Sequence, residues 1–313
     1  MDLVLGVSKG ISRFIKPDGL ESIEKIVIPE LNAIEFGLLN CTIGRTVVPG
    51  TLPYPTEGQT ASILSVVPDA YHKSVHGPYR ISATTTDPKK LRFSKSNLSA
   101  TLRVAQGLKA KTVTFHCGSF KRRFNTDHIK GVLKDWEQNR VEKGFLPRLA
   151  PEVGGKVNSY ADFFTLAELA STIENLLITW DISHDFARGG NITTEAGILK
   201  RLEVLDDTFE LKPENRLPVH FSGMVVGKSG EKHHTLLDQG TGVPWQLVFS
   251  VLKDQKYLEK LSLICESKIP KNEKLIGNAV TDALLVKDFL QSNVFVKEYK
   301  GKPGYLDYYF SSG

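Results

Sequence analysis

The stretch Leu176-Leu-Ile-Thr-Trp-Asp-Ile-Ser-His-Asp-Phe-Ala-Arg-Gly-Gly190 decides how this chain reads. Its first five residues, 176–180, form a short run of apolar and β-branched side chains, the pattern of a buried strand. Asp181 and His184 leave the end of that run, and Gly189-Gly190 supplies a turn. A carboxylate and an imidazole three residues apart at a strand end make half a metal site, because zinc takes both oxygen and imidazole nitrogen. The plainer role is an Asp capping a turn with a His packed beside it. Recurrence of the same event along the chain separates the two.

Strand-length apolar runs recur at residues 3–7, 33–38, 71–75, 112–115, 146–150, 176–180, 217–221 and 261–265. Amphipathic stretches follow most of them, at about 20–28, 60–67, 89–108, 126–143, 161–174, 194–205, 245–253 and 273–290. Asp87-Pro88 and Thr126-Asp127 are helix starts. Residues 40–59 are rich in Gly, Pro and Thr and read as a long loop. Eight strands alternating with helices predict an α/β fold, a (β/α)8 TIM barrel, with one domain spanning 1–313. A doubly wound sheet would need a glycine fingerprint after the first strand, and Gly6-Val7-Ser8-Lys9-Gly10 lacks that spacing. Residues 294–313, with four tyrosines, read as a C-terminal extension packed outside the barrel.

The 313 residues, 41% of them hydrophobic, suffice for one large core. No apolar run reaches the length of about eighteen residues that a membrane span needs, so no membrane association is expected. Residues 1–15 carry Lys9 and Arg13 and lack a continuous apolar core with a cleavage site. Three widely spaced cysteines (Cys41, Cys117 and Cys265) are no disulfide framework. A reducing cytoplasm is therefore the expected compartment, nucleoid-associated in a prokaryote, and a monomer is the expected state. The net charge of +5 suits a phosphate-bearing partner but does not demand one.

In such a barrel the site lies at the carboxyl ends of the strands. The residues just past the runs are His76, His116, Glu152, Asp181 with His184, and Glu266; His220 falls within or at the end of the seventh run, and the loop after it adds Glu231 and His233. His234 is set aside in favour of His233, because adjacent residues on an extended segment point opposite ways. These nine His, Asp and Glu side chains exceed what one zinc takes, three protein ligands and an open position. They suit two or three zinc-like ions, with a bridging carboxylate and manganese or iron as the alternative at one site. Clustered cations suit phosphodiester hydrolysis: they hold the phosphate, activate water and stabilise the departing oxygen.

The segments His76-Gly-Pro-Tyr79, Phe115-His-Cys-Gly-Ser119, Glu152-Val-Gly-Gly155, Asp181-Ile-Ser-His184, His220-Phe-Ser, Glu231-Lys-His-His234 and Cys265-Glu266 occur in the order seen in endonuclease IV. From about His76 to Glu266 the chain resembles that family, apurinic/apyrimidinic endonucleases built on a (β/α)8 barrel with three zinc ions. The resemblance implies that Glu152 bridges two metals and that His76 and His116 complete the first. It implies that Asp181, His220 and Glu266 hold the second, and His184, Glu231 and His233 the third. It makes Glu152 and Glu266 the catalytic carboxylates. It also implies that Tyr79 contacts DNA beside the lesion, and that the substrate is double-stranded DNA cut 5′ to abasic sites. Departures mark a distant member: Glu231 stands where the family has Asp, Cys117 replaces a proline, and Val7-Ser8 lacks the family's preceding His. Related barrels isomerise or epimerise sugars with one or two metals, which is the alternative. A non-catalytic nucleic-acid binder would have no use for all nine residues.

Overall fold

The computed structural model describes residues 3–10, 26–43, 52–119, 125–237, 239, 242–268 and 278–292. The expected tail at 294–313, most of the expected first helix and part of the 40–59 loop lie outside these residues. The strands are β1 (Val4–Gly10), β2 (Ala33–Gly37), β3 (His72–His76), β4 (Thr112–His116), β5 (Arg148–Glu152), β6 (Trp180–Asp181), β7 (Leu217–Phe221), β8 (Gly223–Gly227), β9 (Gly230–Thr235) and β10 (Leu261–Cys265).

Eight of them form one parallel sheet in the order β5-β4-β3-β2-β1-β10-β7-β6. Its two ends meet. Leu177 N donates to Leu149 O at 2.9 Å, Thr179 N to Pro151 O at 2.9 Å, and Val153 N to Thr179 O at 3.1 Å. The predicted (β/α)8 barrel is the observed fold. The segment 176–179 pairs with β5 through these bonds, so the strand expected at 176–180 is present although its regular part is short.

The helices sit close to their expected places, and local capping explains where they start. Glu57–Val66 starts earlier than residue 60, because Thr56 and Gln59 form a capping box. Pro88–Gly107 begins at Asp87, whose side chain accepts from Lys89 and Lys90 N–H groups, with Pro88 filling a position that needs no donor. Asn125 and Asp162 cap Thr126–Glu142 and Phe163–Ser171 in the same way. Each such cap is worth about 1 kcal/mol. Outward strand residues such as Val113 and Phe115 pack against these helices, with the Phe115 and Trp136 rings 6.0 Å apart. No described helix is long and apolar enough to cross a membrane.

Two features of the barrel shape its two mouths. First, the residues of one strand parity face the lumen. The cross-strand register aligns Ser74 with Thr112, Thr112 with Arg148, and His116 with Glu152. From the amino to the carboxyl end, β3 thus offers His72, Ser74 and His76; β4 offers Thr112, Thr114 and His116; β5 offers Arg148, Ala150 and Glu152. Barrel interiors are usually layered with Val, Ile and Leu. Here Val4, Ala33 and Ile264 form only a small apolar cluster, and Thr114 meets Thr179 across the lumen at 2.9 Å. Second, the loop after β7 is not irregular. It folds as an antiparallel hairpin of β8 and β9, with a register irregularity between Val225 and Val226. The hairpin docks on the segment after β5 through Glu231 N to Gly155 O at 2.9 Å and Val157 N to Ser229 O at 3.0 Å.

Candidate metal centre

At the carboxyl mouth, Glu152 is fully buried and central. Its Oε2 lies 3.1 Å from His76 Nε2 and 3.1 Å from His116 Nδ1. Its Oε1 lies 2.9 Å from His220 Nδ1 and 3.8 Å from His184 Nδ1. Glu266 Oε2 sits 3.8 Å from His220 Nδ1. On the far side, Glu231 Oε2 is 3.5 Å from His184 Nε2, and its Oε1 is 3.8 Å from His234 Nε2.

Asp181 shows how strand end and site are joined. It ends β6 and caps the short helix Ile182–Ala187, its Oδ1 accepting from His184 N at 2.7 Å. The capping role and the site role are both filled. One oxygen turns the chain so that His184 enters the cluster, and Oδ2 is left buried without a hydrogen-bond partner, 3.4 Å from His184 Nδ1. Below that turn, Asp185 accepts from Trp180 Nε1 at 3.1 Å and from Arg201 Nη2 at 3.0 Å, which holds the helix on the barrel.

Eight of the nine sequence-predicted donors converge: His76, His116, Glu152, Asp181, His184, His220, Glu231 and Glu266. His233 does not. It is exposed on β9, while its neighbour His234 is 8% exposed and faces the cluster. The expected alternation is real, but the irregularity in the hairpin register sends the second of the two imidazoles inward. Ser222 Oγ meets His234 Nδ1 at 2.9 Å, leaving Nε2 toward Glu231.

Sequence reasoning also missed Glu35. It is fully buried on β2, in the lumen beneath the cluster, and its Oε2 lies 3.1 Å from His220 Nε2. A lone carboxylate in the apolar run Ala33-Ile-Glu-Phe-Gly37 was the available signal.

Local hydrogen bonds set which ring nitrogen each histidine presents. His76 Nδ1 meets Gly77 O at 3.0 Å, leaving Nε2 toward Glu152. His184 Nδ1 meets Val153 O at 3.0 Å, leaving Nε2 buried and unpartnered, toward Glu231. A carbonyl can only accept, so each of these nitrogens carries a proton; the other faces a carboxylate and offers a lone pair only when the ring is neutral. Against the effect of burial, Glu152 raises His76 to about 9, and Asp181 and Glu152 raise His184.

The electrostatics are those of packed acids and imidazoles. Burial alone would raise the Glu152 carboxyl, but His116, His76 and bonds from His220 and His76 hold it well below its usual range. Burial opposes protonation of His220, yet Glu35 and Glu266 hold it well above its usual value. Burial raises Asp181 to about 7, against the pull of His184 and with the help of Glu152 and Glu266. Burial pushes His116 and His234 down to about 4, so both are neutral imidazoles near neutral pH, the form that ligates metals.

The donors fall into sets whose ligand atoms lie within 4.8 Å of one another: His76, His116 and Glu152; Glu152, Asp181, His220 and Glu266; His76, His220 and Glu266; Asp181, His184 and His234. Glu152 belongs to two of these sets. Four carboxylates crowded with imidazoles, and buried orphan atoms on Asp181 and His184, are what divalent cations would satisfy. The donors are oxygen and imidazole nitrogen, a set that zinc, manganese and iron accept. All three cysteines are buried thiols outside these sets.

A match over residues 69–285 assigns the fold family. The chain belongs to the xylose isomerase-like TIM barrel family. An uncharacterized protein of Methanocaldococcus jannaschii is 26% identical over 198 residues, 62% of this chain and 71% of that protein. Among solved structures, endonuclease IV from Thermus thermophilus superposes with a TM-score of 0.64 at 17% identity, covering 91% of this chain and 98% of that one. A D-tagatose 3-epimerase-like protein gives 0.65 at 17% identity, covering 91% and 96%. The IolI protein, whose structure binds a zinc atom, gives 0.62 at 15% identity, covering 93% and 100%. These likenesses carry the barrel and not the reaction. The family's members include both endonuclease IV and sugar epimerases.

Proposed function

We propose that this xylose isomerase-like barrel is a metal-dependent phosphodiester hydrolase that nicks duplex DNA 5′ to abasic sites. The observation that supports this reading best is the third donor group. The set Glu152, Asp181, His220 and Glu266 would suffice for one ion, and a sugar epimerase needs one or two. The hairpin nevertheless brings Glu231 and His234 against His184, and β3 and β4 bring His76 and His116 against the other side of Glu152.

His76, His116 and Glu152 would hold a first ion; Glu152, Asp181, His220 and Glu266 a second; His184, Glu231 and His234 a third. Zinc is the first choice, with manganese or iron as the alternative at one position. Such ions supply Lewis-acid charge where a phosphate and its attacking water meet. The chain's own residues do the rest. Glu152 keeps two donor groups at fixed separation. Glu266 presents a carboxylate, held down to about 2 by His220 and His234 against the effect of burial, to the open mouth. Lys156 and Lys268 line that mouth, a cavity of about 360 Å³, and would meet phosphates. Tyr79 is 58% exposed and lies flat on His116, with ring centroids 5.3 Å apart and 12° between planes. An exposed aromatic fixed beside the donors would stack where a base is missing.

The alternative, a sugar epimerase, is favoured by the four-donor set Glu152, Asp181, His220 and Glu266, three of them buried and Glu266 open to the mouth, and by neighbours such as the D-tagatose 3-epimerase-like protein. Assaying nicking of an abasic duplex beside epimerisation of a ketohexose, on zinc- and manganese-loaded protein, decides. Nicking that Glu152→Gln abolishes supports the hydrolase. Epimerisation without nicking overturns it. Tyr79→Ala is expected to reduce preference for abasic over intact duplex, whereas equal losses on both would make Tyr79 a packing residue.

A further inference from the structure

The opposite mouth of the barrel is also chemically unusual. Where β3, β4, β5 and β7 begin, the positions of lumen-facing parity are His72, Thr112, Arg148 and, one residue before β7, Arg216. With Lys111 they line a cavity of about 350 Å³ at the amino-terminal end of the strands. In most barrels this end is closed by apolar side chains, and its role is stability.

Several of these groups are left ready for a ligand. Thr112 is 2% exposed, and its Oγ1 has no hydrogen-bond partner. The half-buried His72 ring makes no hydrogen bond among the described residues. Arg148 gives Nε to Asn175 O at 3.0 Å and Nη1 to the Asn215 side chain, with Nη2 free of a described partner. Arg216 is held in the wall, giving Nε and Nη1 to the carbonyls of Pro213, Leu258 and Leu261. Lys111 is exposed at the rim. Among the described residues, one carboxylate, Glu214, reaches the cavity wall. The cationic surroundings are felt at His72, whose imidazole is pushed down to about 4 by burial and then by Arg216, Lys111 and Lys73.

We infer that the amino-terminal mouth of the barrel is a binding site for a phosphate group, held by Arg148, Lys111 and the Thr112 hydroxyl. A phosphate has acceptor oxygens for each donor, and a forked guanidinium matches it well. The Thr112 hydroxyl, otherwise an uncompensated buried polar group, would donate to it. The cavity admits inorganic phosphate or a small phosphomonoester. The site lies at the far end of the lumen from the candidate metal centre and does not depend on the function proposed above.

Calorimetric titration of the full chain with inorganic phosphate at fixed ionic strength tests this, with ribose 5-phosphate in a parallel arm. Saturable binding in the millimolar range or tighter is expected. Lys111→Glu combined with His72→Gln should weaken it by at least about tenfold. Lys111 is exposed, so Lys111→Glu alone leaves the fold intact and should itself give a clear loss. His116→Ala, at the other mouth, should leave binding unchanged. Tighter binding of ribose 5-phosphate marks a phosphomonoester as occupant, and tighter binding of phosphate marks the free anion. No saturable binding overturns the site. Binding that survives Lys111→Glu but disappears in His116→Ala also overturns it, because the phosphate then sits at the carboxylate mouth.

Discussion

His220 bridges two buried carboxylates: its Nδ1 lies 2.9 Å from Glu152 Oε1 and its Nε2 lies 3.1 Å from Glu35 Oε2. A ring held from both sides cannot rotate. If Nε2 gives its proton to Glu35, Nδ1 offers a lone pair at the mouth, the arrangement by which an outer carboxylate fixes a ligating imidazole.

Removing that outer carboxylate should therefore loosen metal binding without touching a first donor. Glu35→Ala is expected to lower affinity for zinc by about 10- to 100-fold. Glu35→Gln, which keeps an acceptor oxygen, should lose less. Competition with a chromophoric chelator reads both variants. Equal affinity in all three proteins would mean that Glu35 is only a packing group.

Much of this site was legible because strand ends are legible. Apolar runs bounded by turns placed His76, His116, Glu152, Asp181, His220 and Glu266 on one rim from their positions in the chain alone. Glu35 was hidden for the opposite reason: it sits mid-strand, where pattern reading expects packing and cannot say which neighbour a side chain meets. The choice between His233 and His234 failed at finer grain. Alternation needs a starting phase, and one irregularity between Val225 and Val226 reverses it.

The two adjacent histidines provide a sharp test. His234→Ala should remove one class of metal site, seen as fewer equivalents retained after dialysis by elemental analysis. His233→Ala, on the exposed side of the hairpin, should retain the parental content. The reverse result would put β9 in the other register.

Gly155 allows the same group of donors to be disturbed from outside. A Cβ there would lie 2.5 Å from His184 Cδ2 and 2.7 Å from Glu231 Oε2. Gly155→Ala is expected to displace both side chains and weaken the weakest metal site, while the tighter sites keep their affinity. Stepwise metal titration of stripped protein distinguishes this from a uniform loss. A titration that overlays the parent would show that the hairpin yields without cost to the site.

Acid stability has a definite sign at His72. Its folded value of about 4 lies below the usual 6.5, so the unfolded chain binds this proton more readily. Stability from this group is intact above pH 6.5 and is lost as pH falls toward 4, by up to about 3 kcal/mol. In His72→Gln, denaturant midpoints measured between pH 7 and 4 should fall less steeply than in the parent. Parallel curves would show that His72 titrates normally.

The hairpin of β8 and β9 makes no strand pairing with the barrel sheet. It is fastened mainly by backbone bonds to the segment after β5, and it carries Glu231 and His234. The donors His76, His116, Glu152, Asp181, His184, His220 and Glu266 all come from the barrel strands or the segments directly following them, His184 from the short helix after β6. The cluster is thus two-tiered. Shortening or redirecting one surface ribbon would subtract the outermost pair of donors and leave the rest in place. Within a single barrel scaffold, the number of ions held, and with it the chemistry accessible, can change without any strand of the barrel being rebuilt.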